Sequence, residues 1–503
     1  MSTNQESDAQ GGVSIDFNAS DNLPGPEPVL NTDVMVHIME VLPRPSLSLL
    51  MKTCCTYYSI GVPMILQDVV CIRTQGQMDS FHDFMFATSP GPSDRFEYLY
   101  GLEWVDPVGC IRERGEPFNS PFLPIISRAF SLRRLVLHYW GDLWTLYPDE
   151  NPYGVDLLVS LSGLEEVEIY KGPQDVIKFL EQTRAPIKKL TYRFIDSDDL
   201  SNFNFMSSIA HLRNTLVSLD LQNFHLASEN TDLQFPKVRQ LYLDADHHTG
   251  FAAAVILHIF PNLETLSLPD PSPHLWYRYS SESEIERQHS RTSAIGDRLG
   301  SSQQSIENLS GCAIDLYRTA CQCAVGCLQV ESLSKSNLRW LLPLLPKMRP
   351  RHLILKLNLH LEKATEVLSS ISQALSAADN LESLNLVLLC RKDTFGIVQP
   401  VVEGLPSVLQ QSTLQSFKIT YSSSKFQSYR NELYWHEELD VLDFVARVLL
   451  AARNLHEFTI QRGPDTYMTF RIPIGFIYEK VREHGSDLDA EMVSVMLPSY
   501  VCM

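Results

Sequence analysis

The sequence predicts an α/β fold built from a repeated strand–helix unit, with a short helical block in front of it. A pattern of leucine, two variable residues, leucine, one variable residue and leucine recurs from about residue 96 to about residue 460. It is clearest at Leu263, Leu266 and Leu268. Between the recurrences, apolar residues often follow helical spacing, as in 364–377. Strands and helices in alternation give parallel strands on one side of the fold and helices on the other.

The chain begins with polar residues. Residues 1–25 carry few large apolar side chains, so we predict a disordered tail. Residues 26–68 are predicted to form a small helical domain. Its first helix follows the capping residues 31–33, carries Val34 and Ile38 at helical spacing, and ends at the next proline.

Two further helical runs complete the predicted domain. The second starts near Leu47 and is expected to stop at 61–63, where glycine and proline occur, and the third is the short run 64–66. A core of this size gains little stability by itself, so we expect the domain to lean on a partner or on the next domain. Residues 69–95 are predicted to form an edge strand and a linker helix that lead to the repeats.

The order of residues in this domain resembles the F-box. The F-box has an acidic residue and an isoleucine in an apolar first helix, then a proline-containing break, then a helix with leucine, cysteine and a closing aromatic residue. Asn31 stands where the family has proline, and tyrosine closes the motif where tryptophan is common. The matching residues are Leu30, Asp33, Val34, Ile38, Leu42, Pro43, Leu47, Leu50, Cys54 and either Tyr57 or Tyr58.

The resemblance implies a binding site for a Skp-type adaptor. In the F-box family, apolar side chains of these helices dock on the adaptor, which in turn binds a cullin. An F-box followed by irregular leucine-rich repeats is similar to a family of fungal proteins of the mushroom group. The adaptor-binding residues that the resemblance implies are Leu30, Val34, Ile38, Leu42 and Leu47, with Asp33 as a polar contact at the rim.

The leucine pattern over residues 96–470 is typical of leucine-rich repeats, which form a solenoid because each strand unit needs neighbours to bury its apolar side. The units recur about every 20 to 35 residues, less evenly than regular repeats. Residues 270–304 are polar, so we predict a flexible insertion there, and residues 471–503 are expected to cap the last repeat. Strands are predicted to begin near Phe96, Leu132, Leu164, Ile187, Leu216, Val238, Leu263, Ile306, Val325, Leu353, Leu381, Leu414 and Leu455.

The variable residues between the leucines are predicted to form a binding surface. Side chains alternate along a strand, so leucines that point to the core leave the variable residues on the concave face of the solenoid, with the helices on the convex face. Repeat arrays bind partners on such faces. The charge is mixed, and no basic pocket predicts a phosphorylated ligand. The candidate partner-binding residues are Arg134, His138, Glu166, Glu168, Tyr170, Lys189, Arg193, Asp220, Gln222, Tyr242 and Asp244.

Composition argues against several classes of partner. Hydrophobic residues make up 44% and charged residues 20% of the chain, as in an ordinary globular protein. The net charge of -19 argues against nucleic-acid binding, because binding to phosphates needs clustered Lys and Arg. No apolar run approaches the roughly 18 residues of a membrane helix. The polar start lacks an apolar signal segment. We expect an intracellular protein, cytoplasmic or nuclear, with reduced cysteines.

No catalytic or metal site can be assembled from the sequence. The glycine-rich phosphate loop, the nucleophile elbow and the zinc-protease motif are absent. The cysteines Cys312, Cys321, Cys323 and Cys327 overlap a strand-like unit and are predicted to be buried thiols. The histidine pair 247–248 lacks a companion at ligand spacing. We therefore expect no metal, no cofactor and no catalytic activity.

Two functions remain open. The resemblance implies the substrate-recognition subunit of a Skp-cullin-F-box type ubiquitin ligase, which binds the adaptor by the F-box and an unidentified protein substrate by the repeats. The alternative is a non-catalytic leucine-rich-repeat scaffold whose N-terminal helices only cap the array. An exposed apolar stripe on Val34, Ile38 and Leu42 favours the ligase subunit, and burial of that stripe favours the cap.

Overall fold

The structure is a computed structural model. Two compact units follow one another along the chain, residues 1–67 and residues 68–503. The predicted tail, Leu30, the histidine pair 247–248 and the predicted cap from residue 472 on lie outside the described residues. The structure describes residues 31–87, 94–105, 122–138, 153–170, 174–193, 205–224, 232–245, 252–268, 281–299, 304–359, 363–390, 395–410, 412–423, 441–452, 454–462 and 466–471.

The described part of the first unit is a set of three short helices. Asn31 caps the first helix, as predicted, because its side-chain oxygen accepts a hydrogen bond from the Asp33 N–H at 3.0 Å. The helices are α1 (Thr32–Val41), α2 (Arg44–Met51) and α3 (Cys55–Leu66). Their buried core consists of Met35, Met39, Leu47, Met51, Val62 and Leu66.

The third helix differs from the prediction. The break expected at 61–63 is wrong: α3 runs through it to Leu66, and α2 ends at Met51 instead. A Cβ at Gly61 would collide with the Met51 side chain, so glycine allows α3 to approach α2 closely. Pro63 removes one N–H donor without ending the helix, because the buried Leu66 anchors the last turn. Packing overrides the local helix-breaking signal.

The described residues of the second unit form one sheet of fifteen strands, ordered as they occur along the chain. The strands β1 to β14 run parallel, and β15 pairs antiparallel with β14. This order confirms the predicted α/β fold with parallel strands. The strands are β1 (Val69–Ile72), β2 (Gly101–Val105), β3 (Arg134–His138), β4 (Glu166–Tyr170), β5 (Lys189–Arg193), β6 (Ser218–Phe224), β7 (Gln240–Ala245), β8 (Thr265–Leu268), β9 (Ser305–Cys312), β10 (Ala324–Leu333), β11 (His352–Asn358), β12 (Ser383–Cys390), β13 (Ser416–Ser423), β14 (Glu457–Arg462) and β15 (Thr466–Arg471).

Helices lie between most successive strands and pack against one another as a second layer. Strand leucines such as Leu219 and Leu241 are fully buried. Within the part of the chain that the structure describes, no helix is both long enough and apolar enough to cross a membrane. The helices described in this unit are α4 (Gln75–Phe86), α5 (Phe122–Arg128), α6 (Tyr153–Val159), α7 (Gln174–Gln182), α8 (Phe205–Ser208), α9 (Ala253–Ile259), α10 (Glu282–Leu299), α11 (Ala313–Arg318), α12 (Lys335–Leu341), α13 (Leu345–Met348), α14 (Ala364–Ala377), α15 (Phe395–Leu409) and α16 (Val441–Ala451).

The predicted strands of the repeats all lie close to observed strands. The start near Phe96 differs most, because Phe96 lies in the 3-10 turn Arg95–Glu97 and the strand begins at Gly101. The predicted linker, 69–95, contains the edge strand β1 and the helix α4, as expected. The apolar pattern therefore predicted the positions of the strands even where the spacing between repeats was uneven.

The helix α10 occupies Glu282–Leu299 of the segment 270–304, which was predicted to be a flexible insertion, and residues 270–280 and 300–303 lie outside the described residues. It packs against α11, and the Thr292 hydroxyl donates a hydrogen bond to the Arg318 carbonyl at 2.6 Å. The His289 ring stacks on Tyr317 with ring centres 3.9 Å apart. The polar composition of this segment suggested a loop, but hydrogen bonds, ring stacking and the buried Ile285 hold the helix in place.

Candidate partner-binding surfaces

The helix α1 carries an apolar stripe on its exposed side. Val34 is 46% exposed and Ile38 is 38% exposed, and these residues lie one helical turn apart on the same face. Asp33 is exposed beside them, and Leu42 is half-buried at the end of the helix. The residues that α1 contributes to the core of the three-helix unit are Met35 and Met39, which lie on an adjacent face of the helix.

Two further exposed apolar residues extend this surface, and one predicted residue does not belong to it. Val41 is 81% exposed and continues the stripe of α1, so we define the apolar stripe as Val34, Ile38 and Val41. Leu49 on α2 is 65% exposed. Leu47, which the resemblance places at the adaptor, is only 4% exposed and belongs to the core of the three-helix unit, so it is not part of the exposed surface. Helical spacing from Ile38 could have identified Val41, whereas Leu49 required the orientation of α2.

The strand register brings the predicted partner-binding residues together on one side of the sheet, which we call the outer face. Alternate residues on each strand point away from the buried leucines, so residues two positions apart share this face. Pairing of β3 to β7 aligns them into three rows. The first row holds Arg134, Glu166 and Lys189, the middle row holds Glu168, Asp220 and Tyr242, and the third row holds His138, Tyr170, Arg193, Gln222 and Asp244.

Glu168 lies at the centre of a network of charges on the outer face. Its carboxylate accepts hydrogen bonds from Arg134 at 2.9 Å, from Lys189 at 3.3 Å and from the Tyr170 hydroxyl at 3.1 Å. Glu168 is only 8% exposed, and a charge at that depth needs such partners. The residue therefore organises its neighbours and offers little surface to a partner, unlike the exposed contact that the sequence predicted.

A stacked pair of rings lies beside this network. The rings of His138 and Tyr170 are parallel within 6° and 4.6 Å apart, and His138 Nε2 is 3.4 Å from a carboxylate oxygen of Glu103. Burial, followed by the nearby Glu168 charge, raises the pKa of Tyr170 to about 12. The Tyr170 hydroxyl therefore stays a hydrogen-bond donor throughout the physiological range. The pair forms a rigid aromatic platform on the third row.

Other predicted residues on the outer face are more accessible. Tyr242 is 41% exposed, and Arg193 is exposed at the end of β5. Tyrosine and arginine are the residue types that most often anchor protein partners. Asp220 lies on β6, the strand between those of Arg193 and Tyr242, and is partly buried. Burial raises the pKa of Asp220, and a hydrogen bond from Gln222 lowers it by a smaller amount. Tyr242 and Arg193 are therefore the accessible residues of this part of the outer face, and Asp220 lies deeper between them.

Charged residues just ahead of the strands form a ladder along one edge of the sheet. Arg133 and Lys188 both donate to the Glu165 carboxylate, and Arg239 pairs with Glu264. The hydrogen bond from Lys188, with that from Arg133, lowers the pKa of Glu165 against a smaller opposing effect of burial. The ladder links consecutive repeats by pairs of opposite charge.

A groove opens where this edge reaches Gly326. The groove has a volume of about 1080 Å³, and a Cβ at Gly326 would lie 2.8 Å from the Glu307 carbonyl oxygen, so the strands approach closely only with glycine there. Its charged lining includes Arg351 and His352, with Glu307 toward β9 and Glu382 toward β12. Sequence reasoning missed this groove, because its lining residues come together only through the register of β8 to β13.

The cysteines identified in the sequence occupy different environments. Cys321 and Cys323 are buried as predicted, although they lie in the turn before β10 and not on the strand. Cys327 lies on β10 and is half-buried, and the Cys312 thiol donates to an Asp315 carboxylate oxygen at 2.9 Å. Within the described ranges, no group of three or more His, Cys, Asp or Glu side chains is arranged to hold a metal ion.

No protein-family model matches the chain, and no curated protein matches it. The function has to be argued from the apolar stripe, the outer face and the groove.

Proposed function

We propose that this protein is a substrate-recognition subunit of a Skp-cullin-F-box type ubiquitin ligase. The three helices of the first unit bind a Skp-type adaptor, and the repeats bind a protein substrate. The observation that carries the proposal is the exposed apolar stripe of α1, in which Val34 and Ile38 occupy sequence positions that resemble the F-box and Val41 extends the same face. The chain belongs to the ligase as its substrate-recognition subunit and performs no bond-breaking step itself.

The energetics of the stripe support a docking role. Full burial of one valine or isoleucine side chain is worth about 1.5 to 3 kcal/mol. Single exposed apolar residues are ordinary on protein surfaces, but aligned ones on a helix of a small unit mark an interaction site. Leu49 on α2 adds a fourth large apolar side chain to the exposed surface of the same unit.

The second half of the proposal concerns the outer face and the groove. Tyr242 and Arg193 supply accessible anchors on the outer face, and the groove at Gly326 adds a depression lined by both acidic and basic side chains. A substrate held by these surfaces is brought close to the ubiquitin-transfer machinery that the adaptor recruits. The contribution of the chain is then proximity and orientation.

The alternative is a leucine-rich-repeat scaffold in which α1 to α3 only cap the array. Repeat arrays need a terminal unit with a polar outer side to stay soluble. The exposed side of α1 carries Val34, Ile38 and Val41, which is not the composition that such a cap requires. Adaptor binding distinguishes the two functions.

The test is co-purification of the full chain with a Skp-type adaptor. We expect a stable complex for the wild type and none for the double variant Val34→Asp, Ile38→Asp, because two buried charges oppose docking. The matched control is Thr32→Asp, His37→Asp, which adds the same charge to exposed positions of α1 and keeps the complex. Circular dichroism should be equal for all three proteins. A wild-type chain that forms no complex would contradict the ligase proposal and leave the leucine-rich-repeat scaffold as the function.

A further inference from the structure

Two buried cysteines lie in contact in the turn before β10. The sulfur atoms of Cys321 and Cys323 are 3.2 Å apart, and the two residues are 1% and 2% exposed. Ala320, just ahead of them, has a φ of 48°, a left-handed conformation that turns the chain at this point. A disulfide has its sulfur atoms about 2.05 Å apart, so a shift of about 1 Å is enough to form one.

The contact shifts the pKa values of the two thiols in opposite directions. One thiol donates a hydrogen bond to the other sulfur, and the hydrogen bond from Cys323 lowers the pKa of Cys321 against the opposing effect of burial. The same hydrogen bond, together with burial, raises the pKa of Cys323. Thiolates and not thiols are the nucleophiles in cysteine oxidation, so Cys321 is the residue that reacts first.

We propose that Cys321 and Cys323 form a reversible oxidation site that closes an intrachain disulfide in the presence of hydrogen peroxide. The Cys321 sulfur attacks one peroxide oxygen, the O–O bond breaks, and hydroxide leaves, so that Cys321 becomes a sulfenic acid. The Cys323 sulfur then attacks the Cys321 sulfur, the S–S bond forms, and the S–O bond breaks. Two thiols and one peroxide thus give one disulfide and two water molecules.

Because the pair is buried, a small oxidant reaches it more easily than a large one. Hydrogen peroxide is close in size to water, so a small local opening admits it, whereas a bulky disulfide oxidant needs a much larger one. The closed ring spans Gln322, whose side-chain amide donates to the Ser293 hydroxyl of α10 at 3.2 Å. The disulfide therefore forms in the turn to which α10 is attached. This inference does not depend on the proposed ligase function.

The experiment uses the full reduced chain, treated with hydrogen peroxide, then denatured and alkylated at once. Trypsin cuts after Arg318 and Lys335 and releases the peptide 319–335, which contains Cys321, Cys323 and Cys327. We expect this peptide to carry three alkyl groups before peroxide, one after it, and three again after a thiol reductant. The measurement is the peptide mass, with fragmentation to locate the remaining alkyl group on Cys327.

Single substitutions assign the bond. The Cys327→Ser variant should still form the disulfide, since this half-buried residue is not part of the pair, and the Cys323→Ser variant should not. Three alkyl groups after peroxide overturn the proposal, because the pair has then not reacted. A disulfide that includes Cys327, or a sulfinic acid in place of a disulfide, overturns it equally.

Discussion

On the outer face, a buried carboxylate determines how its neighbours are held. The Glu168 side chain is 11% exposed and bonds Arg134, Lys189 and Tyr170, which come from three adjacent strands. Glu166, two residues earlier on the same strand, is 32% exposed and has an ion pair with Arg134 at 3.6 Å. Glu166 and Glu168 lie on the same strand and the same face, but they differ in exposure and in the number of side chains that they bind.

A matched pair of substitutions tests this difference. Glu168→Gln removes the charge that holds two cations, and we expect it to lower the free energy of unfolding by about 2 kcal/mol, as for a hydrogen-bonded charge away from water. Glu166→Gln should change it by no more than about 0.5 kcal/mol. Urea unfolding measures both. Equal effects would contradict the central position of Glu168.

The sequence predicted the face on which both glutamates lie, but not this difference between them. Alternation along the strand places Glu166 and Glu168 on one side of the sheet. How deep each carboxylate lies depends on the neighbours that the register supplies, and those neighbours are 21 to 34 residues away along the chain. The accessible positions of the outer face could therefore not be separated from the buried ones before the register was known.

At the scale of the element, α10 shows how a polar helix is held on a repeat array. The hydroxyl of Thr292 donates to the Arg318 carbonyl at 2.6 Å, and the His289 ring nitrogen Nδ1 is 2.6 Å from the Tyr317 carbonyl oxygen. Both contacts join α10 to the last residues of α11. These polar contacts act together with the buried Ile285 of the same helix.

Removal of one of these contacts should loosen the helix. Thr292→Val keeps the shape but loses the donor, and we expect backbone amides of α10 to exchange with solvent roughly tenfold faster, equivalent to about 1.4 kcal/mol. Ser290→Ala is the control, because the exposed Ser290 hydroxyl donates to the Glu286 carbonyl within the same helix. Hydrogen–deuterium exchange measures both. Unchanged exchange in Thr292→Val would show that this hydrogen bond does not hold α10.

Elements were predictable where the apolar pattern was strong. The strand leucines, such as Leu384 and Leu386 of β12, located the sheet because each points into the core. The pattern failed at α10, whose contacts are polar, and at α3, where Gly61 serves close packing against Met51 rather than a helix end. In both cases the deciding contact joins residues of two different helices.

At the scale of the whole molecule, two units carry two different kinds of surface. The first has the apolar stripe, and the second has the mixed charges of the outer face and the groove at Gly326. The proposed function assigns the adaptor to the first surface and the substrate to the second. The sequence indicated the first surface through Val34 and Ile38, but gave no sign of the groove, which forms only when β8 to β13 are in register.

The most direct test of the proposed function is an exchange footprint of the full chain with and without a Skp-type adaptor. We predict that bound adaptor slows amide exchange several-fold in residues 32–51, which contain α1 and α2, and leaves β2 to β7 unchanged. The apolar stripe and Leu49 lie within that protected segment. A footprint on the strands with no protection of α1, or no footprint at all, would contradict the assignment of this unit to the adaptor.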